Sequence, residues 1–308
     1  MSATIIRRLG GAVLTVVAVL TFVFFAIRIT GDPTSYLLPF DYTDAQKAEL
    51  EHQIGADRPL IVQYGKFLSD LAHGDLGRSH RWRQDALGMV MDRLPATLRL
   101  ASVAFLLTLV VSLPLGILAA ARRGSAIDGF VGGLTTTGQA MPSFVLAVLL
   151  VWLFAVKLQW LPVGGSGGVT HYVLPAVTLA AFSIASQTRI VRAAVSDVLT
   201  QDYIRTARAK GLSSRVVLVQ HALRAAAVPI LTIVGLQWHY FLGGTVVIET
   251  IFAWPGIGRL MVDAVLARDF AVVQSGVFIL STLFIAINAL TDIAYGVVDP
   301  RYRAGGAG

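Results

Sequence analysis

The stretch LASVAFLLTLVVSLPLGILAAA, Leu100–Ala121, carries no charged side chain. A hydrocarbon core of about 30 Å takes roughly 20 apolar residues as a helix, so this run is long enough to span a bilayer. Working outward from it, charge-free runs recur at Leu9–Ile27, Gly129–Val156, Leu158–Thr188, Ala225–Ile248 and Phe270–Thr291. Across the 308 residues, 55% are hydrophobic and 14% charged, which is greasier and less charged than a soluble domain. The chain reads as an all-α membrane protein of six transmembrane helices, expected at 9–29, 98–121, 130–156, 172–190, 226–248 and 271–293. The first run is too long for a signal-peptide core, and no small-residue cleavage pattern follows it, so it reads as a retained span.

The formal net charge is +7. Basic residues beside hydrophobic spans mark the cytoplasmic side more readily than a nucleic-acid partner, and no recognition module accompanies them. Cysteine is absent, which excludes disulfides and thiolate metal sites. There is no phosphate-binding G-x-x-x-x-G-K-[ST] loop, no H-E-x-x-H and no G-x-S-x-G elbow. The six histidines lack ligand-like spacing. A membrane-embedded enzyme is therefore poorly supported, and these residues offer no nucleotide loop, cofactor motif or metal cage. It carries no ionisable pairs deep in the spans either, so the energy for any transport comes from elsewhere.

Placing the N-terminus in the cytoplasm puts Arg7, Arg8, Arg122, Arg123, Arg189, Arg192, Arg205, Arg208, Lys210, Arg215, Arg224, Arg301 and Arg303 inside. The short outer loops hold Lys157, Arg259 and Arg268. This asymmetry implies both termini inside, with a cytoplasmic N-terminus at 1–8 and a cytoplasmic tail at 296–308. Residues 30–97 form an extracytoplasmic segment with helices of its own. Thr43–Gln46 matches a capping box, Pro59 suits a helix start and Gly74 a helix stop. The glycine-rich loop LPVGGSGGVTHYVLP reads as a flexible outer connector.

Between the fourth and fifth spans lies DYIRTARAKGLSSRVVLVQHALRAAAVPI, Asp202–Ile230. Gly211 sits where a first helix would end with positive φ, and Ser213 can cap a second. Leu212, Val216, Val219 and Leu223 fall at i, i+4, i+7 and i+11, an apolar stripe on that second helix. Two readings fit: a helix lying on the inner leaflet with its arginines against lipid phosphate, or a helix–Gly–helix knob offered to a cytoplasmic protein. Within the spans, mild polarity at Gln139, Ser143, Ser183, Gln187, Gln237 and Asn288 is either interhelical glue or a weakly polar translocation path.

The central stretch resembles the EAA loop of ABC-importer permeases, with the pattern falling on Arg205, Thr206, Ala207, Gly211, His221, Leu223 and Arg224. It departs from the general pattern at the Glu, the first Ala, the Ile and the Pro. Those departures are similar to the B-type permease subunit of dipeptide and oligopeptide importers, and IIRRLGG, DRPLIVQY, GDLGRS, PLGILAAARRGSAID, HYVLPAVTLA, TRIVRA and GGTVVIETIFAWPGIGRLMVDAVLARDF follow in that family's order. The resemblance implies a type I importer permease fold with a permease core at 98–295. It implies a prokaryotic cytoplasmic-membrane complex containing a second six-span permease, two ATP-binding subunits and an extracytoplasmic peptide-binding protein, with ATP bound by the partners. It makes 191–224 the loop that couples to the ATPases, through Arg205, Thr206, Ala207, Arg208, Lys210, Gly211, Leu212 and Ser213. Peptide is the implied cargo, with glutathione, a nickel complex or haem as alternatives. A channel or secondary-carrier subunit is the more distant reading.

Overall fold

The computed structural model describes residues 2–30, 43–54 and 57–298. The expected tail therefore falls mostly outside the described residues, as do 31–42 of the first connecting segment. Among the described residues the named elements are all helices: α1 Ser2–Thr30, α2 Asp44–Ile54, α3 Leu60–Ala72, α4 Ala86–Ala121, α5 Ala126–Ala140, α6 Ser143–Leu150, α7 Thr170–Leu199, α8 Asp202–Ala209, α9 Ser214–Val216, α10 Leu223–Ile251, α11 Ile257–Leu266 and α12 Phe270–Val298. Two π-helical turns, Val151–Lys157 and Val217–Ala222, continue α6 and join α9 to α10. Among the described residues α4, α7, α12 and the stretch Ser214–Gly235 are long and apolar enough to cross a bilayer.

Several helices run past the lengths expected for bare spans. α4 starts at Ala86, well before residue 98, and α7 continues to Leu199 rather than stopping near 190. The expected third span, 130–156, needs a larger correction. It is two rods, α5 and α6 with its π turn, bent by 103°. Pro142 has no N–H to give and disfavours helical backbone at the residue before it; Met141 accordingly sits extended at φ −85, ψ 118.

Contacts divide the chain into two compact units. The first comprises residues 1–96 and 255–285. Its core holds Ala86, Val90, Ile257, Ala264 and Val272. On α1, Phe24 meets Tyr64 and Phe67 of α3, with ring centroids 5.3 and 5.2 Å away, and Thr21 Oγ1 lies 2.7 Å from the Tyr64 hydroxyl. The capping box forms: the Thr43 N–H donates to Gln46 Oε1 at 2.9 Å and the Gln46 N–H to Thr43 Oγ1 at 3.3 Å. α3 follows Pro59 and ends before Gly74, whose φ is +78.

The second unit comprises residues 97–254 and 286–308. Its centre is α7, where Ala176, Ala180, Ser183, Gln187, Val191 and Val195 are buried on one face. α4 reaches α7 closely at Gly116, where an added Cβ would stand 2.7 Å from the Val191 Cβ and 2.8 Å from the Thr188 carbonyl. Only a residue without a side chain allows that approach. The glycine-rich loop is not loose. The Gly165 N–H donates to the Phe252 carbonyl at 2.7 Å, the same carbonyl leaves no room for a Cβ on Gly164, and Tyr172 stands edge-on to Trp254 at 4.6 Å.

Candidate functional site: the central helix–glycine–helix knob

α7 ends at Leu199, and the chain turns through Thr200 and Gln201 into α8. Ile204 and Ala207 of α8 are buried, in one cluster with Val217 and Ala222 and against Val198, Leu199 and Leu218. A helix of eight residues is too short to hold itself in water, so this small apolar base is what fixes α8 on α7. Its uncovered sides carry Tyr203, Arg205 and Arg208, with Lys210 at its C-cap, all exposed. Arg205 reaches Asp202 at 3.5 Å, an exposed pair of little energetic weight.

The end of α8 is a Schellman motif. The Gly211 N–H donates to the Arg208 carbonyl at 2.9 Å and the Leu212 N–H to the Ala207 carbonyl at 3.4 Å. Gly211 takes φ +80, while nothing lies within 4 Å of where its Cβ would be. Backbone conformation alone, not space, asks for glycine here. Ser213 then accepts the Val216 N–H at its hydroxyl, at 3.5 Å, and opens the next helix. The Thr206 hydroxyl bonds back to the Asp202 carbonyl at 3.1 Å.

The expected apolar stripe at Leu212, Val216, Val219 and Leu223 is not the buried one. Leu212 is 39% and Val219 53% exposed, whereas Val217 and Ala222 are buried. Leu212 precedes the Ser213 cap and so lies off that helix, and the i to i+5 bonding of the π turn widens each turn, so that Val217 and Ala222, five apart, are buried together. Leu212 and Tyr203 are both left uncovered, at 39% and 48% exposed.

The six candidate path residues all belong to the second unit, and among the described residues no hydrogen bond joins any two of them. Gln139 accepts from Arg189 at 2.5 Å. Ser143 begins α6 immediately after the break and is half-buried. Ser183 and Gln187 lie one turn apart on the buried face of α7, each 1% exposed, and their polar side-chain atoms have no partner among the described residues. Such groups are costly in an apolar setting. Gln237 and Asn288 are half-buried on α10 and α12. Among the described residues no three His, Cys, Asp or Glu side chains converge as a metal cage would need.

Three polar contacts escape a reading of the sequence. Arg192 of α7 forks onto Asp128 of α5, Nε to Oδ1 at 2.5 Å and an Nη to Oδ2 at 2.8 Å. Thr97 Oγ1 donates to the fully buried Glu249 at 2.7 Å. In the first unit Ser79 Oγ donates to the buried Asp269 at 2.5 Å, and the Arg81 N–H donates to the same oxygen at 3.2 Å. A lone acid just outside or at the end of a charge-free run was the available signal in each case.

Comparison with known proteins agrees with the family expected from the sequence. The model of the family described as "Binding-protein-dependent transport system inner membrane component" matches residues 112–304, and that of its N-terminal component matches residues 1–101. A Brucella abortus protein provisionally described as a peptide transport system permease is 43% identical over 314 residues, covering 98% of this chain and 99% of its own. The di/tripeptide transport system permease protein DppB of Pseudomonas aeruginosa is 38% identical over 98% of this chain and 99% of its own. The glutathione transport system permease protein GsiC of Escherichia coli is 39% identical over 97% and 98%. Among solved structures, the inward-facing MetNI methionine ABC transporter superposes with a TM-score of 0.58 over 68% of this chain and 96% of that one, at 18% identity, a likeness of fold.

Proposed function

The chain belongs to the binding-protein-dependent transport system inner membrane component family, and on that premise we propose that it is the permease subunit through which an ATP-driven importer passes di- and oligopeptides across the cytoplasmic membrane. Membership makes it a multi-pass inner-membrane component of an ABC importer, working with ATPase and binding-protein partners. The finer reading is one further six-span permease, two ATPase subunits that bind all the ATP, and an extracytoplasmic peptide-binding protein. Both termini lie in the cytoplasm, in keeping with the arginine asymmetry.

The observation that carries the mechanism is the knob. Its base is buried on α7, its end is fixed by a left-handed glycine, and its uncovered surface includes Tyr203, Leu212, Arg205, Arg208 and Lys210. Exposed apolar groups on a cationic segment suit a groove in a protein partner. A groove of the ATPase receives this face, and ATP-driven movement of that groove displaces α8. Because α8 packs on the end of α7, the displacement enters the helix at the centre of the second unit. Gln139, Ser143, Ser183, Gln187, Gln237 and Asn288 are the residues from which the mildly polar route is built, and this chain supplies no catalytic group.

The similarity to a glutathione permease gives a second cargo reading, a γ-linked tripeptide in place of ordinary peptides. The experiment is uptake of labelled dialanine and labelled glutathione by proteoliposomes holding the complete complex, with and without this chain. Dialanine uptake that needs ATP and this chain supports the reading. Uptake of glutathione alone would move the cargo, and uptake of either by this chain without its partners would overturn the assignment.

A further inference from the structure

The Asp128–Arg192 contact stands apart from the other charged pairs of the described chain. Asp128 is nearly buried, with 9% of its side chain exposed, and both its oxygens are engaged by one guanidinium. The same carboxylate accepts the Gly124 N–H at 3.0 Å, and the N-cap Ser125 accepts the Asp128 N–H at 3.4 Å. Asp128 is thus at once the closure of the α4–α5 turn, part of the first turn of α5 and the seat of an α7 side chain. One turn along, Arg189 donates to Gln139 at the far end of α5. A bidentate Arg–carboxylate contact is rigid in both direction and distance, unlike apolar side chains that slide past one another.

What lies on either side of this contact gives it a role. Toward the knob, Val198 and Leu199 at the end of α7 pack on Ile204 and Ala207 of α8, and the same two residues share a second cluster with Val191, Val195 and Ala226. Away from it, α5 runs to Met141–Pro142, where the helix breaks and α6 leaves at 103°. A broken helix with an extended residue at its corner is a hinge with few internal hydrogen bonds to resist bending. A rigid contact thus stands between a helix that a partner would push and a helix able to bend.

We propose that the Asp128–Arg192 pair is the link that passes displacement of the α8 knob from α7 into the hinged α5–α6 helix. The inference rests on the importer reading above and adds to it the residues that carry movement beyond the knob. Asp128 and Arg192 are positioning residues: they touch neither cargo nor nucleotide. Removing either one disconnects the same joint, so the two losses do not add.

The test uses the complete reconstituted complex with its binding protein and a labelled dipeptide. The readings are assembly, basal ATPase rate, the factor by which loaded binding protein raises that rate, and uptake. Asp128→Asn and Arg192→Gln are each expected to assemble normally, to hold the basal rate within about twofold and to lose at least about fivefold in stimulation and uptake. The double variant is expected to lose no more than either single one, and Arg192→Lys, which keeps the charge without the fork, to fall between. Stimulation within about twofold of normal in the assembled single variants would overturn the proposal. Failure of both Asp128→Asn and Arg192→Lys to assemble would also overturn it, since the pair would then be a folding element. A complex of unaltered chains with no stimulation at all would overturn the importer reading instead, and this inference with it.

Discussion

The first connecting segment and the central segment use the same local devices for opposite ends. Both start helices on side-chain caps, Thr43 in one and Ser213 in the other, and both stop a helix at a glycine near φ +80, Gly74 and Gly211, with open space around each. They differ in what holds them. The first is locked by aromatic contacts from α3 to α1 and, between Leu76 and Ala86, by the buried carboxylate of Asp269. The central one rests on four small buried aliphatics and turns Tyr203, Leu212 and its cations outward. One is fastened within the chain on several sides; the other is fixed at its base and left uncovered on its outer surface.

The comparison breaks most visibly at Asp269. Asp269→Ala leaves the Ser79 hydroxyl and the Arg81 N–H without their acceptor, one of them buried, at about 1–3 kcal/mol for each group so orphaned. The expected outcome is a clear fall in the temperature at which the detergent-purified chain aggregates. An unchanged transition would mean the first segment is not held there. Next comes Gly211→Val. Left-handed backbone costs an L residue roughly 1–2 kcal/mol, with a β-branched side chain at the upper end, and no clash adds to it. Insertion and thermal stability should change little while uptake falls at least about tenfold, with Gly211→Asn milder because Asn tolerates this region. Equal uptake in Gly211→Val and the unaltered chain would contradict the role given to the knob.

Leu212→Asp sharpens the contrast further. Because the side chain is exposed, the change should not destabilise the chain, yet loss of an apolar anchor should weaken capture of the ATPase subunits about tenfold, roughly 1.4 kcal/mol, in a pull-down titration. A large loss of folded protein would show that Leu212 is part of a core. Arg205→Ala should give the smallest effect on stability, within about 0.5 kcal/mol, since its pair with Asp202 is exposed at both ends.

How much of this was legible in the sequence follows from the range of each interaction. The Thr43 capping box, the left-handed Gly211 and the Ser213 cap are set by neighbours within a few residues, and each reads directly from the chain. The break of the third span is also local, but Pro142 does not interrupt a charge-free run, so apolar length alone suggests one rod. The π turn at Val217–Ala222 changes the period on which the stripe was drawn, and the run Val216–Val219, aliphatic at every position, gave no warning of it. Arg192–Asp128 and Ser79–Asp269 join residues 64 and 190 positions apart, which the order of residues cannot pair.

The central claim is that the knob's uncovered surface, which includes Tyr203 and Leu212, meets a protein and not the membrane surface. The chain has no native cysteine, so a single Leu212→Cys variant reports on that face without interference. In the assembled complex a short bifunctional reagent attached to the introduced thiol should join the chain to an ATPase subunit. Val169→Cys, in the glycine-rich loop and 84% exposed, should not react in that way. Without the ATPase subunits, the thiol of the Leu212→Cys variant should react freely with a water-soluble maleimide. A thiol at that position that is shielded from the maleimide by lipid and gives no cross-link would contradict the account and leave the segment a membrane-surface helix.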